Sequence, residues 1–199
     1  MKIVVAALLI CCVVTAAAQN NYKDSIQQFL DKYVAEHEVV KGDNKKGFRF
    51  YAPDPAYRFT ARLEKVADSK WFNMPTSGKI QKAFRVYGIL HFSKGDTTLQ
   101  LPVYQSQSLL ESPKYRDNLF LPFTDLTSGD ETYTSGRYID LKLGDIQNGQ
   151  VILDFNKAYN PYCAYVTGKY NCPIPPRTNQ LSIAIHAGEK TFSGHIEAE

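Results

Sequence analysis

The chain has 199 residues, with 23 Lys+Arg against 20 Asp+Glu, a formal charge of +3, and 44% hydrophobic and 13% aromatic residues. This balance is too weakly basic for a dedicated nucleic-acid binder and too apolar and aromatic for a disordered chain. At a mean hydropathy of -0.32 it is also too polar for a membrane-embedded one, and one globular domain accounts for the length.

The chain opens with Met1-Lys2, an unbroken apolar run from Ile3 to Val14, and the small residues Thr15-Ala16-Ala17-Ala18. This is the pattern of a secretory signal peptide, and it predicts cleavage after Ala18 and an exported chain, periplasmic or secreted, from Gln19. The run is shorter than the roughly 20 residues needed to cross a bilayer, so no membrane span is expected once the leader is gone. Cys11 and Cys12 leave with it, and Cys163 and Cys172 remain. In an oxidising compartment two thiols this close read first as a disulfide, contributing about 2 to 3 kcal/mol. Free buried thiols are the alternative. A zinc site with His91 and His186 is disfavoured because the spacing matches no compact Cys/His signature. No metal site and no cofactor is expected.

Tyr22, Ile26, Phe29, Leu30, Tyr33 and Val34 recur at helical spacing behind Asn21 and predict one N-terminal amphipathic helix ending before Gly42. The segment 42–47 reads as an exposed loop, and His37 and His195 as solvated. Tyr57, Phe59, Ala61 and Leu63 alternate with polar residues, the signature of a half-buried strand. Phe84 to Phe92 alternates likewise, with Phe84, Val86, Leu90 and Phe92 on one face. Turn residues at Ser93 to Asp96 then lead to a partner strand carrying Leu99, Leu101 and Val103. Further strands are expected over 48–52, 119–123, 138–143, 151–155 and 181–187.

Gln147-Asn148-Gly149 resembles a three-residue hairpin connection with Gly149 left-handed. Pairing across it would match Ile139, Leu141 and Leu143 with Val151, Leu153 and Phe155, leaving Asp140, Lys142, Asp154 and Asn156 together on the other face. The expected fold is mainly β, an antiparallel sandwich or closed barrel of about 8–10 strands with one N-terminal amphipathic helix.

Two stretches could carry chemistry. In the first, Asp125 to Tyr138, glycines, hydroxyls and carboxylates crowd around Arg137, whose guanidinium suits a carboxylate or phosphate. The bland reading is a Thr/Ser/Gly loop closed by its own hydrogen bonds. The second runs from Asp154 to Asn179 and concentrates tyrosines, both cysteines and four prolines, the last making its end extended and rigid.

Segments from these stretches stand in a distinctive order: Phe123-Thr124-Asp125, Thr127-Ser128-Gly129, Glu131-Thr132-Tyr133, Gly136-Arg137-Tyr138, Asp154-Phe155-Asn156, Ala158-Tyr159-Asn160-Pro161, Cys163-Ala164-Tyr165 and Cys172-Pro173-Ile174-Pro175-Pro176. Over roughly 48–190 the chain resembles the domain of unknown function 1684 family of bacteria and archaea. The resemblance implies that the polar run, both cysteines and Glu189 belong to the family's hallmark. It brings no established activity. Tyr162 departs from the pattern, standing where a second proline often follows the first.

The first functional expectation is a module binding a small polar or anionic molecule through Tyr133, Arg137, Asp154, Asn156, Tyr159, Asn160 and Tyr165. The second is a hydrolytic enzyme drawing its acid and base from Asp125, Glu131, Asp154 and Glu189, provided two of them converge. The third is a cell-envelope interaction protein using its aromatic loops. Nucleic acid is not an expected partner, because no basic cluster exceeds Lys45-Lys46.

Overall fold

The computed structural model describes residues 20–194 and 196; the signal segment and His195 lie outside them. Helix α1 spans 20–36, and its stripe of Tyr22, Ile26, Leu30 and Tyr33, continued by His37, faces the domain at successive helical turns. The strands are β1 (Arg58–Lys65), β2 (Phe72–Met74), β3 (Lys82–Lys94), β4 (Thr97–Ser106), β5 (Asn118–Phe123), β6 (Arg137–Lys142) and β7 (Gln150–Asp154). A single helical turn, α2 (Gln107–Leu110), follows β4.

The described strands form one curled antiparallel half-barrel sheet in the order β6-β5-β4-β3-β1-β7, with β2 added on β3. Seven strands replace the expected eight to ten. The ladder is a path, with β6 and β7 at its ends. The expected hairpin between them therefore does not form: β6 pairs with β5, and β7 pairs with β1 from Arg58↔Asp154 to Arg62↔Gln150. The turn itself is present and tighter than expected. Gln147 and Gln150 pair across Asn148 and Gly149, both at positive φ, as a two-residue turn. What breaks the hairpin is the 3-10 turn Leu143–Asp145, which leads the chain away from the line of β6.

Strand parity sorts the side chains onto two faces. Leu90, Phe92, Leu101, Leu121, Leu141 and Leu153 meet in the main core, where each fully buried side chain contributes roughly 1.5 to 3 kcal/mol. A bulge between Val86 and Gly88 shifts the register of β3 against β4 by one residue. Phe84 and Val86 are thereby turned away from Leu90 and Phe92, against expectation, into a second cluster with Met74 and Tyr104 on the outer face.

Two expected strands behave differently. Segment 48–52 makes one bridge, Phe50↔Glu189, and 181–187 forms no strand although Leu181, Ile185 and Ala187 are buried in the core. Side chains satisfy that C-terminal backbone and the sheet beside it. Asn179 donates to the carbonyls of Pro102 and Pro122, both at 2.8 Å, and accepts from the Tyr104 hydroxyl at 2.7 Å. It bridges β4 and β5 where the prolines have no N–H to offer. Gly188 allows the closest approach. At φ +76°, a side chain there would meet the carbonyl oxygens of Phe155 and Ala158 at 2.7 Å.

Candidate functional site

The outer faces of β5 and β6 place Asn118, Phe120, Tyr138 and Asp140 in register, opposite the core-facing Leu119, Leu121, Ile139 and Leu141. Helix α1 and the loop around Cys163 and Cys172 stand over this face. Between them lies a cleft of about 800 Å³ walled by aromatic rings, among them Phe84, Phe120, Tyr138, Tyr159 and Tyr162. Its polar groups include Glu36, Glu38, Asp140, Lys82 and Lys157.

Asp140 projects into this cleft and accepts a hydrogen bond from the Tyr159 hydroxyl at 2.9 Å. Its side chain is wet, yet the cleft walls crowd it, and this burial raises the carboxyl above its ordinary range against the pull of the Tyr159 hydrogen bond. Burial, and then the Asp140 charge, push the Tyr159 phenol well above its usual value. Across the cleft the Tyr162 hydroxyl donates to Glu38 at 3.1 Å, and burial carries that phenol up to about 12. The Tyr138 hydroxyl donates to the Pro173 carbonyl, tying β6 to the proline run.

Behind the wall sits a second polar centre. Glu189 is completely buried and accepts from the Tyr165 hydroxyl at 2.8 Å, the Asn160 backbone N–H at 2.8 Å and the Tyr33 hydroxyl at 3.3 Å. Burial raises its carboxyl to about 7 despite these three donors. Tyr33 belongs to the cleft wall as well, so one phenol of α1 touches both centres. His37 is buried among Tyr33, Phe48, Tyr162 and Tyr165, contrary to the solvated position expected of it. Its Nδ1 accepts from the Val40 N–H at 2.9 Å, and burial lowers it to about 4.

The residues singled out in the sequence divide among several places. Arg137 is fully buried and donates to Asp125 at 2.8 Å and to the carbonyls of Ile185, Ala187 and Glu189. It is a strut for the C-terminal segment, not a free fork for an anion. The Asp125 loop closes on itself through Thr127, whose N–H and hydroxyl donate to the carboxylate at 2.8 and 2.6 Å. Glu131 faces Lys190 at 3.1 Å, and that contact holds its carboxyl below the usual range.

Asp154 accepts from the Tyr22 hydroxyl at 2.9 Å and from the Asn156 side chain at 3.0 Å, anchoring the start of α1. Asn160 donates its amide to the Lys190 carbonyl at 2.9 Å, and Tyr133 reaches the Cys163 carbonyl at 3.4 Å. Cys163 and Cys172 form a disulfide with a Cα separation of 6.3 Å. It braces the loop that Ser77 clamps through the backbone of Cys172 at 2.9 and 3.1 Å.

Of the ligand-binding candidates only Tyr159 lines the cleft, and none of the four candidate carboxylates does. Asp140, Tyr138, Tyr162, Tyr33 and His37 line the cleft and are not among the site candidates that the sequence offers. The signal for Asp140 was present, since alternation along 138–143 turns it away from Ile139 and Leu141. No local pattern marks which outer face α1 and the disulfide loop will roof over.

Fold and cleft define a curled antiparallel β domain whose outer sheet face is covered by a helix and a disulfide-braced, tyrosine-rich loop. The chain belongs to the family described as protein of unknown function (DUF1684), which matches residues 44–190. It is similar to an uncharacterized protein of Haloarcula marismortui solved by solution NMR, at 27% identity and a TM-score of 0.64 over 88% of this chain and 97% of that one. No curated protein matches it. Helix α1, with its share of the cleft wall, precedes the span that the family match covers.

Proposed function

We propose that the protein is an exported β domain that binds a small polar organic molecule in the cleft on its outer sheet face. The observation that carries this reading is the Tyr159–Asp140 pair, 2.9 Å apart inside an aromatic-walled cavity of about 800 Å³. Such cavities, mostly apolar with a few oriented polar groups, are the usual form of a small-molecule site. Tyrosines suit it because each offers an apolar ring and a hydrogen-bonding tip. Export is supported by the pattern of residues 1–18 and by the disulfide, which persists in oxidising compartments. An anionic ligand gains no support from Arg137, whose partners are all within the protein. Hydrolysis by Asp125, Glu131, Asp154 or Glu189 gains none from the cleft.

The test is a thermal-shift screen of sugars, polyols, amines and organic acids on the full chain, followed by mapping of hits by NMR. Hits that perturb Tyr138, Asp140 and Tyr159 are expected. Absence of any hit, or hits that map elsewhere, would overturn the reading.

An envelope-interaction role draws support from a different surface. Trp71, Ile80 and Ile174 are 40%, 63% and 41% exposed on segments joined by the Thr76↔Pro173 bridge. Retention of the protein in an envelope fraction, lost in Trp71→Ser, is the outcome this role requires.

A further inference from the structure

We infer that the cleft selects a molecule carrying a positively charged nitrogen, an alkylammonium or quaternary ammonium group, seated against Asp140. This deepens the proposed function and rests on the cleft being the ligand site.

Three observations converge. First, the walls are rings, and the negative face of an aromatic ring attracts a cation within about 6 Å of its centroid. The protein already uses one ring of this cleft in that way, with the Lys157 ammonium 5.4 Å from the Phe29 centroid.

Second, two carboxylates of the cleft, Asp140 and Glu38, are oriented but not neutralised, whereas Glu36 faces Lys32 at 3.9 Å. Asp140 is held by the Tyr159 hydroxyl and Glu38 by the Tyr162 hydroxyl, at 2.9 and 3.1 Å. A phenol donates a hydrogen bond without cancelling the charge. Among the described residues neither Asp140 nor Glu38 has an ion-pair partner. An anionic ligand would meet both, and a neutral polyol would use their lone pairs but not their charge.

Third, the polar group built most deeply into the wall adds no competing positive charge. His37 is 5% exposed, and its Nδ1 accepts from the Val40 N–H, which leaves the neutral ring with its proton on Nε2. That Nε2 has no partner among the described residues. The cleft lysines, Lys82 and Lys157, stand against three carboxylates, and Lys157 lies over the Phe29 ring.

Isothermal titration of the full chain with three probes tests this: choline, its uncharged isostere 3,3-dimethylbutan-1-ol, and sorbitol. Choline is expected to bind at least about tenfold more tightly than the isostere, and Asp140→Asn to remove that preference. Asp140 is solvent-accessible, so the variant should keep the wild-type circular dichroism and melting profile. Glu38→Gln, at an exposed position, provides a second variant with a smaller loss of about threefold in choline affinity. Equal affinity for choline and the isostere, or preference for sorbitol, would overturn the charge selectivity while leaving the cleft as a ligand site. Failure of all three probes, together with an empty screen, would overturn both readings.

Discussion

The guanidinium of Arg137 stands 2.8 Å from the carboxylate of Asp125, and both side chains are completely buried. The same guanidinium takes the carbonyls of Ile185, Ala187 and Glu189. One side chain of β6 thus does for the C-terminal segment what a neighbouring strand would have done, and that segment needs no regular ladder. Removing the guanidinium strips the buried Asp125 carboxylate of its counter-charge, though Thr127 and the Ile185 N–H still donate to it, and leaves three buried carbonyls without donors. Arg137→Met is therefore expected to cost about 3 to 5 kcal/mol in urea unfolding. The double variant Arg137→Met/Asp125→Asn should recover part of that loss, since the stranded charge is gone while the amide oxygen still accepts from Thr127. A loss under about 1 kcal/mol in the single variant would contradict the strut.

Stability should depend on pH through Glu189. Its folded carboxyl titrates near 7 against an ordinary 4.5, so the folded state holds a proton that the unfolded state has already released. The associated stabilisation is complete below about pH 4.5 and is lost as pH rises through 7, amounting to about 3 kcal/mol. His37 acts in the opposite sense. Its folded value near 4 lies below the ordinary 6.5, so its contribution is present above 6.5 and disappears as the pH falls through 4. Between 4.5 and 6.5 the two slopes oppose and nearly cancel, so chemical unfolding of Glu189→Gln from pH 4 to 8 should show stability rising with pH up to about 6.5, where the parent chain is nearly flat. A variant profile that matches the parent's would assign the dependence to another group.

Asn179 joins two strands where proline denies them a ladder. Asn179→Ala should cost about 2 to 4 kcal/mol, because two carbonyls and the Tyr104 hydroxyl lose their partner together. Hydrogen exchange of amides in β4 and β5 should accelerate before those in β1 and β7 do. Uniform acceleration over all strands would mean that the bridge is not local.

Reduction of Cys163–Cys172 should loosen the tyrosine-rich loop over the cleft while the sheet persists. The expected change is a loss of about 2 to 3 kcal/mol with unaltered strand signal in circular dichroism. Susceptibility to limited proteolysis should rise within 163–172. Proteolysis elsewhere first, or loss of strand signal, would contradict this division of labour.

Much of the fold was legible because it is written in short-range periodicity. The stripe along α1 and the alternation in β1, β5, β6 and β7 depend only on neighbours a few residues away. The positive φ of Gly149 followed from its turn chemistry. Pairing was not legible in the same way. The turn at Asn148-Gly149 is real, but a turn specifies only its own two ends, and β7 found its partner in β1, nearly a hundred residues earlier.

The same distinction governs the site and the aromatic content. Aromatic residues at 13%, crowded beside two cysteines, pointed to the region where a cavity would be built. The chain by itself determined which side chains share a face, Asp140 among them, because parity along a strand is a local property. Only the tertiary structure decided what each face meets. It turned Arg137 inward to replace a strand, buried His37 among rings, and roofed Asp140 with α1 and the disulfide loop. Those outcomes depend on contacts between segments far apart in the chain, where burial and partner geometry override the residue type that suggested a role.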